Sequence, residues 1–151
     1  MGRFCFVRRN INHEIKMNST YESKIVRITK RAEDVFNTLS KFDNFTPMAQ
    51  GRVENWQADN DTCSFSLQGM TAGLRIIERE EFKTIKITGN DQVPMDFCLW
   101  IQLKEVAPYD TRMKITAKAE LNMMMKMLLG KKLENGVNQL ADGIASAFNS
   151  I

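Results

Sequence analysis

Histidine is nearly absent from the 151 residues, and the one present, His13, lies in the N-terminal leader 1–16. The remainder therefore cannot assemble a Ser-His-Asp or Cys-His nucleophile system or a histidine-based metal site. Cysteine is also scarce. Cys5, Cys63 and Cys98 form no CxxC pair and have no histidine beside them, which points to reduced, inert, buried thiols in a cytoplasmic protein. No apolar run approaches the roughly 18 residues of a membrane span. The leader MGRFCFVRRNINHEIK has neither the apolar run nor the small-residue cleavage site of a signal peptide. A phosphate-cradling glycine loop is missing too, since GMTAG has neither the lysine nor the spacing. No metal and no cofactor is expected from this inventory.

Charge of one sign is scarce outside the leader. Arg3, Arg8, Arg9 and Lys16 against Glu14 account for the whole net charge of +3, so from Met17 onward the chain is balanced. Residues 1–16 are expected to be a disordered tail, or sequence ahead of an alternative start at Met17, with a weak basic anchor to nucleic acid or an acidic membrane as the rival reading. The balanced remainder gives no reason to expect a nucleic-acid partner or stable membrane insertion. Residues 17–151 have the length of one domain with a single sizeable core.

What the chain has is a long apolar C-terminal segment. In Asn122 to Phe148, the residues Leu129, Leu133, Val137, Leu140, Ile144 and Phe148 fall within one arc about 100° wide at 100° per residue, the stripe of a helix lying on a core. Met123, Met124, Met125, Met127, Leu128 and Leu129 are apolar nearly all round, so this end is expected to be covered on more than one side. An unbroken helix would place Lys126 in the stripe, which predicts a kink or change of register at Gly130.

Ahead of that segment, Thr20 to Ile28 reads as a first strand. Ala32 to Ser40 reads as a short helix, with Val35, Phe36 and Leu39 at helical spacing and Glu33 and Asp34 in its first turn. FDNFTPM continues as a helical corner anchored by its aromatics. From Val53 the period becomes two. RVENWQA, the Cys63–Phe65–Leu67 alternation, GLRIIERE, FKTIKIT, the Phe97–Leu103 alternation and the Met113–Leu121 alternation give six strands joined by short turns. Short connections imply an antiparallel meander, and its apolar face must be covered by the final helix. A twisted sheet curled round one helix leaves room for an internal cavity between them.

That order, together with AEDVFNTLS, the FDNF corner, VENW, the PYDTR turn and the Met-rich terminal helix, resembles the START-like (SRPBCC, helix-grip) superfamily of birch-pollen allergens, polyketide cyclases and lipid-transfer domains, and is most similar to its small bacterial members. The resemblance covers about Thr20 to Phe148. It departs at Arg31, where relatives often open the first helix with proline. It implies an α+β helix-grip fold: a curved antiparallel sheet of about seven strands wrapped round a long C-terminal helix, with two short helices after the first strand. It also implies a cavity for apolar ligands. The inward positions would be Phe65, Leu67, Ile76, Phe97, Leu99, Ile101, Met113, Ile115 and Ala117, roofed by Met124, Met125 and Leu128. The plainer reading is that these side chains fill the core, with the methionines as adaptable gap fillers.

The function expected on these grounds is non-catalytic binding of a hydrophobic or lipid-like small molecule by a monomer or weak homodimer. One alternative is a polyketide cyclase or dehydratase-like enzyme, which needs a polar group such as Asp96 or Tyr109 turned into the cavity. The other is an interaction module similar to the family's chaperone activators. Strand parity puts Trp100 on the outer face, where either a partner or a neighbouring Lys or Arg stem would cover it. No residue is assigned a catalytic role.

Overall fold

The computed structural model describes residues 16–67, 69–93 and 95–150; the expectations for the leader lie outside them except at Lys16. The chain folds as β1 (Lys16–Glu22), β2 (Val26–Ile28), α1 (Ala32–Leu39), a 3-10 turn (Phe42–Phe45), α2 (Thr46–Ala49), β3 (Glu54–Ala58), β4 (Thr62–Leu67), β5 (Met70–Glu80), β6 (Thr84–Gly89), β7 (Phe97–Ala107), β8 (Asp110–Asn122) and α3 (Met123–Asn149). This is the α+β helix-grip arrangement the sequence implies. One eight-stranded antiparallel sheet runs β1-β8-β7-β6-β5-β4-β3, with β2 also paired to β8. The first strand differs from its expected form: it begins at Lys16 and is split into β1 and β2. At the break, the Ser23 hydroxyl accepts from the Ile115 amide at 2.9 Å while the Ser23 amide donates to the Ile115 carbonyl at 2.8 Å.

Inner-face side chains line up across the sheet by register. Tyr21, Ala117, Leu99, Ile87 and Ile76 form one row, and Ile115, Ile101 and Ile85 the next. Met113, Ile115, Ile85 and Ile101 are at most 1% exposed, so the second row and Met113, with Ala117 and Ile76 of the first, form the packed centre of the domain. α1 opens without a side-chain cap from Arg31. Instead the Glu105 carboxylate of β7 accepts from the Ala32 amide at 2.8 Å, and its other oxygen lies 3.7 Å from the Arg31 guanidinium. An acceptor from another strand thus satisfies the helix start that a proline would have rigidified.

α3 is one unbroken helix, capped by the Asn122 side chain, which accepts from the Met125 amide at 2.8 Å. The expected break at Gly130 is absent. Met125, Leu129 and Leu133 are half-buried, and Val137, Ala141 and Ala145 are buried. Each step of four residues advances about 40° round a straight helix, so the covered face rotates along α3. Lys126 is left outside the stripe and exposed. The absent Cβ of Gly130 allows a close approach, because an added one would lie 3.2 Å from the Tyr21 hydroxyl.

Candidate functional site

α3 packs on β8, β1 and β2. The rest of the inner face is left to α1, which packs on β6 and β7, and to the helical corner Phe42–Ala49, which packs on β3 and β4. The result is a cavity of about 360 Å3. Phe65, Leu74, Ile87, Phe97, Leu99 and Ile101 form its floor, and Phe45, Met48 and Leu140 lie above them; Trp56 and Cys63 also line it. Its size falls at the lower end of small-molecule sites, about 300–1,000 Å3.

Local interactions hold the walls. The Trp56 indole stacks on Phe65 at 6.1 Å between ring centres and donates to the Thr46 hydroxyl at 2.9 Å, joining β3 to the first turn of α2. Phe42 and Phe45 pack against each other at 5.8 Å. A second tie comes from the Arg79 guanidinium, which donates to the Ser40 carbonyl at 2.7 and 2.9 Å and to Asp61 at 2.8 Å, fixing the end of α1 to β5. The corner is therefore braced from two strands.

Of the positions expected from the sequence, Phe65, Phe97, Leu99 and Ile101 line this cavity. Ile76, Met113, Ile115 and Ala117 do not line it. They are 6%, 0%, 0% and 2% exposed and belong to the packed centre. Leu67 is 48% exposed, at the end of β4 beside a shallow groove with Gly51 and Val53. The methionine roof is also misplaced. Met124 and Leu128 are 69% and 65% exposed, as are Met123 and Met127 at 62% and 78%. α3 starts directly where β8 ends, so its first turns stand at the rim of the sheet with only the side bearing Met125 and Leu129 turned toward the domain.

Several lining residues escaped the sequence reading. Leu74 and Ile87 share the strand parity of Ile76 and Ile85, so the alternation itself contained them. Phe42, Phe45 and Met48 lie on the aromatic corner, visible in sequence as an anchor but without a sign of what it covers. Arg52 had no signal at all. It is the one charged residue among the described residues lining the cavity.

The lining holds little acid or base chemistry. Burial pushes the Cys63 thiol up to about 11, the nearby Asp59 charge adding to the effect and a hydrogen bond with the Leu74 backbone opposing it, so the thiol stays neutral at physiological pH. Asp96 is exposed at the start of β7. Tyr109 is 61% exposed in the β7–β8 turn, its ring 5.9 Å from the Arg31 guanidinium carbon. Neither lines the cavity. On the outer face, Trp100 is half-buried under the Lys86 ammonium, 5.4 Å from the ring centre, so a lysine stem covers it as expected. Among the described residues no group of His, Cys, Asp and Glu could hold a metal ion, and no helix is long and apolar enough to cross a membrane.

The fold has clear counterparts among solved structures. A norcoclaurine synthase from Thalictrum flavum, in complex with dopamine and hydroxybenzaldehyde, superposes with a TM-score of 0.67 at 10% identity, covering 94% of this chain and 93% of that one. A START superfamily protein from Mycobacterium smegmatis gives 0.63 at 15% identity, covering 87% and 97%. The Mll3558 protein from Rhizobium loti gives 0.66 at 14%, also covering 87% and 97%. No family model and no curated protein matches the sequence. At these identities the likeness establishes a START-like fold and nothing finer.

Proposed function

We propose that the protein binds a hydrophobic or lipid-like small molecule, without catalysis, in the cavity beneath the helical corner. The observation that carries this reading is the lining: about 360 Å3 lined almost wholly by aromatic and aliphatic side chains. Filling that space with apolar ligand removes both surfaces from water, at roughly 25 cal/mol per Å2. The reading is compatible with the norcoclaurine synthase of the same fold being found in complex with dopamine and hydroxybenzaldehyde. Residues in binding roles are Trp56, Phe65, Phe97, Leu99 and Ile101, with Phe45, Met48 and Leu140 closing the space above.

A cyclase-like activity has less support, because the described lining offers no carboxylate, phenol or imidazole to move a proton. The test is native mass spectrometry of the protein as purified, followed by titration with an apolar fluorescent probe. One bound apolar molecule, or probe uptake saturating at one site, is expected. Protein that is ligand-free and takes up no apolar probe overturns the reading.

A further inference from the structure

The cavity is apolar except at one point. Arg52 sits in the tight link between α2 and β3, where its amide donates to the Ala49 carbonyl at 3.0 Å and the preceding Gly51 takes a φ of +83°. Its guanidinium lies beside Gly143 of α3. An added Cβ at Gly143 would lie 3.0 Å from Nη1, so the missing side chain there lets the arginine rest against the helix beside Leu140. The Arg52 side chain makes no ion pair or hydrogen bond to the described residues. Glu54 shares a neighbouring shallow groove with it and is not paired to it.

We infer that the ligand is an anionic amphiphile, an apolar body carrying a carboxylate, whose charged end pairs with Arg52 at the edge of the cavity. The inference rests on the cavity-binding reading above and narrows its ligand class. Placed anywhere else along this lining, a carboxylate would lose its water with no partner. At Arg52 it meets a fork of N–H donors with two-pronged geometry for a carboxylate, at a position still open to solvent. The apolar body then lies over Phe65, Phe97 and Leu99. A cationic amphiphile is repelled at the same point, and a neutral one gains only the apolar contacts.

The experiment compares decanoate with decanol by isothermal titration calorimetry on the full chain. The wild type should bind decanoate about tenfold more tightly than decanol, the scale of one charge-assisted hydrogen-bonded pair, and the preference should shrink with added salt. Arg52→Gln should abolish the preference, bringing the decanoate affinity to that of decanol. Gly143→Ala, which keeps the charge and displaces the guanidinium, should reduce the preference in part. Equal affinities in the wild type, or a preference surviving Arg52→Gln, overturns the role of Arg52 while leaving the cavity reading intact. Binding of neither molecule to the wild type overturns the cavity reading itself.

Discussion

Leu99 and Ile115 project from adjacent strands onto the same inner face, and they separate a cavity wall from a packed core. Ile115 is 0% exposed and borders no cavity, whereas Leu99 is half-buried and faces the space under Met48 and Leu140. Truncating Ile115 to alanine removes buried methylenes and leaves a void that its close-packed neighbours cannot fill, at a cost of about 2–5 kcal/mol. Leu99 already forfeits contacts on the side facing the cavity, so Leu99→Ala should cost about 2 kcal/mol or less. In a chain of this size each kcal/mol lowers Tm by roughly 2–4 °C. The two variants should therefore differ clearly in thermal and urea denaturation. Uptake of an apolar fluorescent probe should move the other way, altered by Leu99→Ala and unchanged by Ile115→Ala under conditions where both stay folded. Equal stability losses with unchanged probe uptake in both would refute the distinction, and Leu99 would then be ordinary core.

Three further outcomes follow from single contacts. Glu105→Ala removes the acceptor for the first amide of α1 and should cost about 1 kcal/mol in urea denaturation, while Glu105→Gln, which keeps an acceptor oxygen, should recover most of it; similar losses in both would assign the effect to the Arg31 ion pair. Native Cys63 should resist iodoacetamide at pH 8, because with its thiol at about 11 roughly one molecule in a thousand carries the reactive thiolate, and it should label in urea; fast native labelling would contradict its burial. Glu120 is held above its ordinary value of 4.5 by burial first, then by the hydrogen bond and charge of Asp96, with Lys16 opposing. A raised carboxyl favours the fold when protonated, so its contribution is present below 4.5 and is lost as pH rises through the folded value. Glu120→Gln should accordingly stabilise at pH 7, with the difference from wild type closing as pH falls from the raised folded value to 4.5; a constant difference across that range would exclude the carboxyl pair as its cause.

The alternation of Phe97 to Leu103 and of Met113 to Leu121 determined two long strands and their inward faces, because a period of two leaves no other way to bury one side. The helical spacing from Leu133 to Phe148 likewise determined the helix that packs on the second of them. These periods, with the short connections, determined the order of elements and the antiparallel meander; the cavity expected between sheet and C-terminal helix lies instead beneath the helical corner, with Leu140 the one α3 residue among its described lining. Periodicity reports which residues share a face and says nothing about how far along the sheet another element reaches. Tertiary structure alone decided that α3 lies over β1, β2 and β8, leaving the rest of the inner face to α1 and the corner. For that reason Met113, Ile115 and Ala117 on β8 are packed solid, while Phe65 on β4 and Phe97, Leu99 and Ile101 on β7 line a space; Ile76 on β5 is buried outside that lining. The same offset leaves Met124 and Leu128 at the rim and brings Arg52 to the cavity, a residue whose position depends on a turn, a missing Cβ in α3 and the packing of the two against each other.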